Sequence, residues 1–99
     1  MTKLFFVYMM SNTKHGTIYT GVTSNLRARV WQHKNHEFEG SFSARYDLTR
    51  LVWFEAHESA ETAITREKRL KDWKRSWKVE LIEDTNPRWD DLWDEIASF

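Results

Sequence analysis

The sequence predicts an α/β domain, a three-stranded sheet, antiparallel or mixed, flanked by helices. Three observations predict it. Short apolar runs bounded by turn residues stand at Leu4–Met10, Thr17–Val22 and Arg50–Glu55. Helical spacing follows the N-cap candidates Thr23, Ser24 and Asn25, and again Ser59. The 99 residues suffice for one modest core, so a single domain spanning 1–99 is expected.

The first run, Leu4 to Met10, is apolar on both faces, as in a strand that is central in its sheet or covered on two sides. Its seven residues are too few to cross a bilayer, and no small-residue cleavage site follows them. Ser11–Gly16 supplies turn chemistry and joins the first strand to Thr17–Val22 as a hairpin. Leu26, Val30 and His33 recur at helical spacing, predicting a helix from Leu26 to His36. Glu37–Thr49, with Gly40 and several polar residues, reads as a loop, and Arg50–Glu55 as the third strand. Ser59 caps the next helix although Thr62 stands where a capping box needs Glu or Gln, and the helical period carries on to about Trp77. Lys78–Asp84 reads as a further helical stretch, Asn86-Pro87 as a break, and Trp89–Ala97 as a short acidic terminal helix.

With 40% apolar and 30% charged residues the chain reads as an ordinary folded protein, neither disordered nor membrane-embedded. The absence of cysteine excludes disulfides, thiolate metal sites and a cysteine nucleophile, and fits a cytoplasmic location. The net charge is zero, yet it is segregated. Residues 1–50 carry seven Lys and Arg against three Asp and Glu, a net of +4, and 51–63 carry three acids and no base, a net of −3. Residues 64–79 carry seven against two, a net of +5, and 80–99 one against seven, a net of −6. A basic face able to neutralise phosphates can therefore coexist with an acidic tail. For any single segment a solvated helix face is an equally available reading.

The candidate chemistry lies on these elements. Strand alternation puts Tyr8 on a face with Phe6 and Met10, and Tyr19 on a face with Thr17 and Gly21, so an in-register hairpin brings the phenols close. The plain alternative is two tyrosines at a core rim whose polar tips find partners. Arg29 and His33 stand four residues apart on one helix face. A guanidinium there can grip a phosphate through two bonds, and an imidazole can reach the phosphate, a water or a phenol; the alternative is a surface pair with no task. Glu67 falls roughly 40° from Ala63, inside a stripe shared with Leu70, Trp77 and Leu81. A carboxylate on the buried side must be paired, protonated or bound to a cation, and both a salt bridge and a metal site are open. Lys74 falls in the same stripe, and Asn86 before Pro87 suits a turn. Trp53, Trp73, Trp77, Trp89 and Trp93 are expected to pack, Trp31 and Phe42 to be exposed.

The ordered set Tyr8 in Phe6-Val7-Tyr8, Tyr19 in Tyr19-Thr20-Gly21, Arg29 ten residues on, His33, and Glu67 in Arg66-Glu67-Lys68-Arg69-Leu70-Lys71 resembles the GIY-YIG nuclease superfamily over nearly the whole chain. Asn25-Leu26-Arg27-Ala28-Arg29-Val30-Trp31, Trp73-Lys74-Arg75-Ser76-Trp77-Lys78 and Asn86-Pro87-Arg88-Trp89 look like its small single-domain branch, related to the N-terminal nuclease domain of the excision-repair nuclease UvrC. The first motif departs from the eponymous triplet but keeps its tyrosine. The resemblance implies a GIY-YIG-like sheet and a divalent-metal-dependent endonuclease acting on DNA, in repair or recombination, with RNA open as an alternative. It implies that Tyr8 and Tyr19 lie by the scissile phosphate and help activate water. Arg29 and His33 would hold the phosphate, and Glu67 would be the one protein carboxylate on Mg²⁺ or Mn²⁺. Arg27, Lys34, Arg45, Arg66, Lys74 and Asn86 are further candidate nucleic-acid contacts; Asn86 follows Glu67 by nineteen residues, a longer gap than the family asparagine suggests. The rival readings are a nucleic-acid-binding module without cleavage, and a subunit that acts with a protein partner docked on its acidic terminal helix.

Overall fold

β1 (Phe5–Ser11) runs between β2 (Ile18–Thr23) and β3 (Arg50–His57) in a fully antiparallel sheet in the computed structural model, which describes residues 3–37 and 45–99. Both ladders are antiparallel, so the expected choice between antiparallel and mixed resolves to the former. The register pairs Tyr8 with Gly21 on one side and with Phe54 on the other. Between Met9 and Met10 the β1–β3 ladder shifts: Met9 faces Trp53 and Met10 faces Leu51, leaving Val52 as the extra residue of a bulge.

Helices cover both faces. α1 (Leu26–Lys34) lies on the face of Tyr8, Met10 and Leu51, where Leu26, Val30, Leu48 and Ile96 complete one hydrophobic cluster. α2 (Ala60–Asp72) and α3 (Arg75–Thr85) lie on the opposite face, where Ala63, Leu70 and Ile82 pack with Val7, Met9, Val52, Trp53 and Trp89. The short α4 (Trp93–Ile96) returns to the α1 side through buried Ile96. Among the described residues no helix is long and apolar enough to cross a membrane.

Local chemistry sets the boundaries. Asn25 Oδ1 accepts the Ala28 N–H at 3.1 Å and caps α1, and Ser59 Oγ accepts the Thr62 N–H at 3.2 Å and caps α2. α1 stops at Lys34, two residues before the expected His36, because His36 turns left-handed at φ 53°. The Glu37 N–H then bonds Gln32 O at 3.0 Å and the His36 N–H bonds His33 O at 3.2 Å, a Schellman closure. Phe42 and most of the expected loop lie outside the described residues.

The largest departure is in the expected helix from Ser59 to Trp77. It ends at Asp72, where Trp73 and Lys74 are extended at ψ 148° and 145° and Trp73 packs onto the core. The two extended residues reset the helical phase. Trp77 therefore emerges 48% exposed instead of packed, and Lys74 leaves the stripe for the surface.

The terminal helix likewise starts at Trp93 and not at Trp89. Trp89 is fully buried in a left-handed turn at φ 57°, its ring N–H donating to Glu83 at 2.7 Å. Asn86 holds that turn: its Nδ2 donates to Val52 O at 3.1 Å and Asp90 O at 2.9 Å, and its Oδ1 accepts the Asp90 N–H at 3.0 Å. Asn86→Ala leaves these buried backbone groups unpaired. Urea unfolding is expected to show a loss of about 2–3 kcal/mol, against well under about 1 kcal/mol for an exposed control such as Lys68→Ala.

Candidate active site

The β2–α1 junction aims the first helix. Thr23 Oγ1 accepts the Asn25 N–H at 3.0 Å while Asn25 caps α1, so the helix leaves the edge strand in a defined direction. With about 100° per residue, Leu26, Val30 and His33 form the buried stripe and Arg29 sits roughly 60° to one side of Leu26. His33 is therefore driven into the sheet, 4% exposed, while Arg29 stays half-buried at its rim.

Four of the five expected catalytic residues meet there. The Tyr8 phenol lies 3.0 Å from His33 Nε2. The Tyr8 and Tyr19 rings stand 6.2 Å apart as diagonal neighbours across the ladder, and His33 packs 5.7 Å from the first and 5.4 Å from the second. Gly21 makes this possible: a Cβ at that position would lie 2.5 Å from Tyr8 Oη and 2.6 Å from Cζ. The ring of Tyr8 occupies the space that any side chain at position 21 would need.

Hydrogen-bond chemistry fixes the roles within the cluster. The Arg29 guanidinium, which only donates, acts on the Tyr8 phenol from the rim and favours its charged form. The direction of the 3.0 Å contact between the Tyr8 phenol and His33 Nε2 is set by the imidazole tautomer, with the phenol donating when Nε2 is unprotonated. Burial, reinforced by the neighbouring Tyr19, pushes the Tyr8 phenol well above its ordinary pKa, with Arg29 only partly opposing it. Burial, and then the charge of Arg29, lowers His33 from 6.5 to about 4. At neutral pH the cluster is a protonated phenol against a neutral imidazole.

Glu67 is placed differently. It projects from α2, in the layer across the sheet from α1, between the buried Ala63 and Leu70 on its helix face. Its side chain is 13% exposed and pairs with Lys71 at 2.9 Å. The i,i+4 spacing of Glu67 and Lys71 was the available sequence signal for this pair.

The other expected nucleic-acid contacts divide into engaged and open side chains. Lys34 is engaged: its ammonium donates to Thr49 O at 2.8 Å and to Asp91, tying α1 to the terminal segment. Arg66 pairs with Glu55 at 3.2 Å, and Glu55 also bonds His57 at 2.7 Å. Asn86 is spent on its turn, the role suited to a residue before proline. Arg27, Arg45 and Lys74 are exposed, Arg45 lying over Tyr46 and Lys74 over Trp77. Trp31 is 50% exposed, as expected.

The lowered pKa of His33 carries a stability consequence with a definite sign. Above about pH 6.5 the imidazole is neutral in both states and its contribution is intact. Between about 6.5 and about 4 the unfolded chain binds the proton and the folded chain resists it, so stability falls as pH falls, by about 3 kcal/mol in total. Urea unfolding across that range should show a slope that His33→Gln removes. In Gly21→Ala the new methyl displaces the Tyr8 ring, and NMR titration of His33 is expected to move from about 4 back toward the ordinary value.

Comparisons with known proteins give the family and the fold. Residues 4–80 match the family described as the GIY-YIG catalytic domain. The chain is 32% identical over 83 residues to UPF0213 protein SH2523 of Staphylococcus haemolyticus, covering 80% of this chain and 94% of that one. It is 31% identical over 83 residues to a UPF0213 protein of Staphylococcus aureus, with the same coverage of 80% and 94%. The solution NMR structure of UPF0213 protein BH0048 from Bacillus halodurans shares the fold, with a TM-score of 0.53 at 24% identity over 90% of this chain and 93% of that one. The tyrosine pair, the helix carrying Arg29 and His33, and Glu67 all fall within the matched span, and the chain belongs to the GIY-YIG nuclease superfamily.

Proposed function

We propose that this chain is a divalent-metal-dependent endonuclease that hydrolyses phosphodiester bonds in DNA. The observation that carries the reading is the buried Tyr8–His33 hydrogen bond at 3.0 Å beneath a half-open Arg29 and Tyr19.

Each residue has a role suited to its setting. Arg29 takes a phosphate oxygen and stabilises the charge that gathers on the phosphorus centre during in-line displacement. Tyr8 is too buried and too firmly protonated to act as a base, so it anchors Arg29 and His33 in place. Tyr19 keeps part of its surface open and is the phenol that orients the attacking water. His33, held neutral at pH 7 by burial and by the charge of Arg29, serves as a hydrogen-bonding partner that fixes the Tyr8 phenol and does not store a proton.

The cation is assigned to Glu67 on the family pattern: Glu67 offers one little-exposed carboxylate in the layer across the sheet from the Tyr8 cluster, and among the described residues no group of three His, Asp or Glu could hold a metal ion. Mg²⁺ or Mn²⁺ held by Glu67 would complete its shell with phosphate oxygens and water. When bound, the cation supplies positive charge that orients the phosphate and stabilises the leaving oxygen. The Lys71 ammonium already neutralises Glu67, so metal affinity without nucleic acid is weak on this reading.

The test is cleavage of labelled branched, nicked, single-stranded and duplex DNA in Mg²⁺ or Mn²⁺. Arg29→Ala and Glu67→Ala should each lower the rate by about a hundredfold or more, and EDTA should abolish it. Salt-sensitive binding without cleavage, unchanged in Glu67→Ala, would favour a binding module instead. Lys71→Ala removes the resident cation from Glu67 and is expected to lower the half-saturating Mn²⁺ concentration in calorimetry of the DNA-free protein.

A further inference from the structure

Trp77 lies in a basic setting that the proposed chemistry does not use. It is 48% exposed at the start of α3, while Trp53 and Trp89 are buried in the core. Its ring meets Trp73 edge-on at 6.0 Å, and Lys74 Nζ lies 5.5 Å from its centroid. Lys74, Arg75 and Lys78 have no carboxylate partner in ion-pair contact among the described residues, Arg75 being bonded instead to the carbonyls of His15 and Gly16. Lys78 donates to Lys71 O at 3.4 Å and titrates below an ordinary lysine because it is partly buried and stands near Arg75 and then Lys71, with Asp72 the carboxylate that opposes the shift. The corner between α2 and α3 is thus a cluster of cations short of anions, built around an open aromatic ring.

We infer that this corner is a second nucleic-acid contact, in which Trp77 stacks on an unpaired base while Lys74 and Lys78 take the flanking phosphates. The inference rests on the nuclease reading and narrows its substrate to nucleic acid with unpaired bases near the cleaved bond. In a duplex the base faces are already stacked on each other, so a protruding indole has nothing to meet, whereas an unpaired base offers its whole face. A cation beside the ring strengthens the contact and brings the phosphate to it. Lys71 joins the corner to the proposed site, since it stands one helical turn from Glu67 and holds that carboxylate.

Anisotropy of three labelled ligands in metal-free buffer tests this: a thymidine oligonucleotide, a blunt duplex, and the same duplex with a single-stranded overhang. Trp77→Ala should weaken binding of the oligonucleotide and the overhang about tenfold while the blunt duplex changes by less than about twofold. Trp77→Phe, which keeps a stacking face, should recover most of the loss and guards against a mere folding defect. Lys74→Ala should weaken all three and reduce the salt slope by about one counterion. Equal losses by Trp77→Ala on every ligand, or none on any, would overturn the inference while wild-type binding and cleavage left the nuclease reading standing. Wild-type protein that bound none of the three would overturn both. Binding of polyglutamate as tight as that of the oligonucleotide, and equally dependent on Trp77, would identify the corner as a site for acidic peptides instead.

Discussion

β1 has no solvent side. Its two edges are paired to β2 and β3 and its two faces are covered by α1 and by α2 with α3, so Val7 through Ser11 are all buried. A polar group on such a strand must find partners inside the protein or cost several kcal/mol. Tyr8 is that group. Its phenol recruits His33, Arg29 and Tyr19, and its ring lies over Gly21, the residue that leaves room for it. The polar cluster of the candidate site follows from placing a tyrosine in the central strand.

The same burial tunes the cluster. Desolvation disfavours both phenolate and imidazolium, and the fixed charge of Arg29 acts in the same direction on His33. The outcome is a neutral imidazole beside a neutral phenol, with the permanent charge of Arg29 at the rim. That is a useful division of labour for a site facing a phosphate, because the anion meets Arg29 while the proton-handling groups stay uncharged. Moving Arg29 one position along α1 would turn its guanidinium away from the phenols by about 100°.

The second helical layer does different work. α2 presents Glu67 toward the sheet and a cationic flank toward solvent, and the extended pair Trp73–Lys74 turns α3 so that Trp77 protrudes. Lys71 belongs to both arrangements: it neutralises Glu67 and contributes to the positive field around Lys78. Asp91 ties the terminal segment to the α1 side, accepting the Leu51 N–H and the Lys34 ammonium. The rest of the acidic 80–99 segment is not removed in the same way, since Glu80, Glu83 and Asp84 lie on α3 itself.

Much of this was legible without coordinates. The apolar run of β1, the hairpin, the caps at Asn25 and Ser59, and the four-residue spacing of Arg29 and His33 depend on near neighbours, and local patterns report them faithfully. The order of tyrosines, arginine, histidine and glutamate was readable as a family signature for the same reason. What the sequence could not reveal depends on contacts between distant segments. The 100° period extrapolated α2 to Trp77, but packing of Trp73 onto the core broke the helix after Asp72, with no proline or glycine to announce it. Lys34 read as a polar group free to meet a ligand and Asn86 as a turn residue or a ligand contact, and both became internal clasps once Val52, Thr49 and Asp91 arrived beside them. Residue type and spacing determined which groups the site contains. Tertiary packing alone decided which of them are buried, which are already bonded, and which still face the solvent, because desolvation and partner availability are properties of the assembled fold.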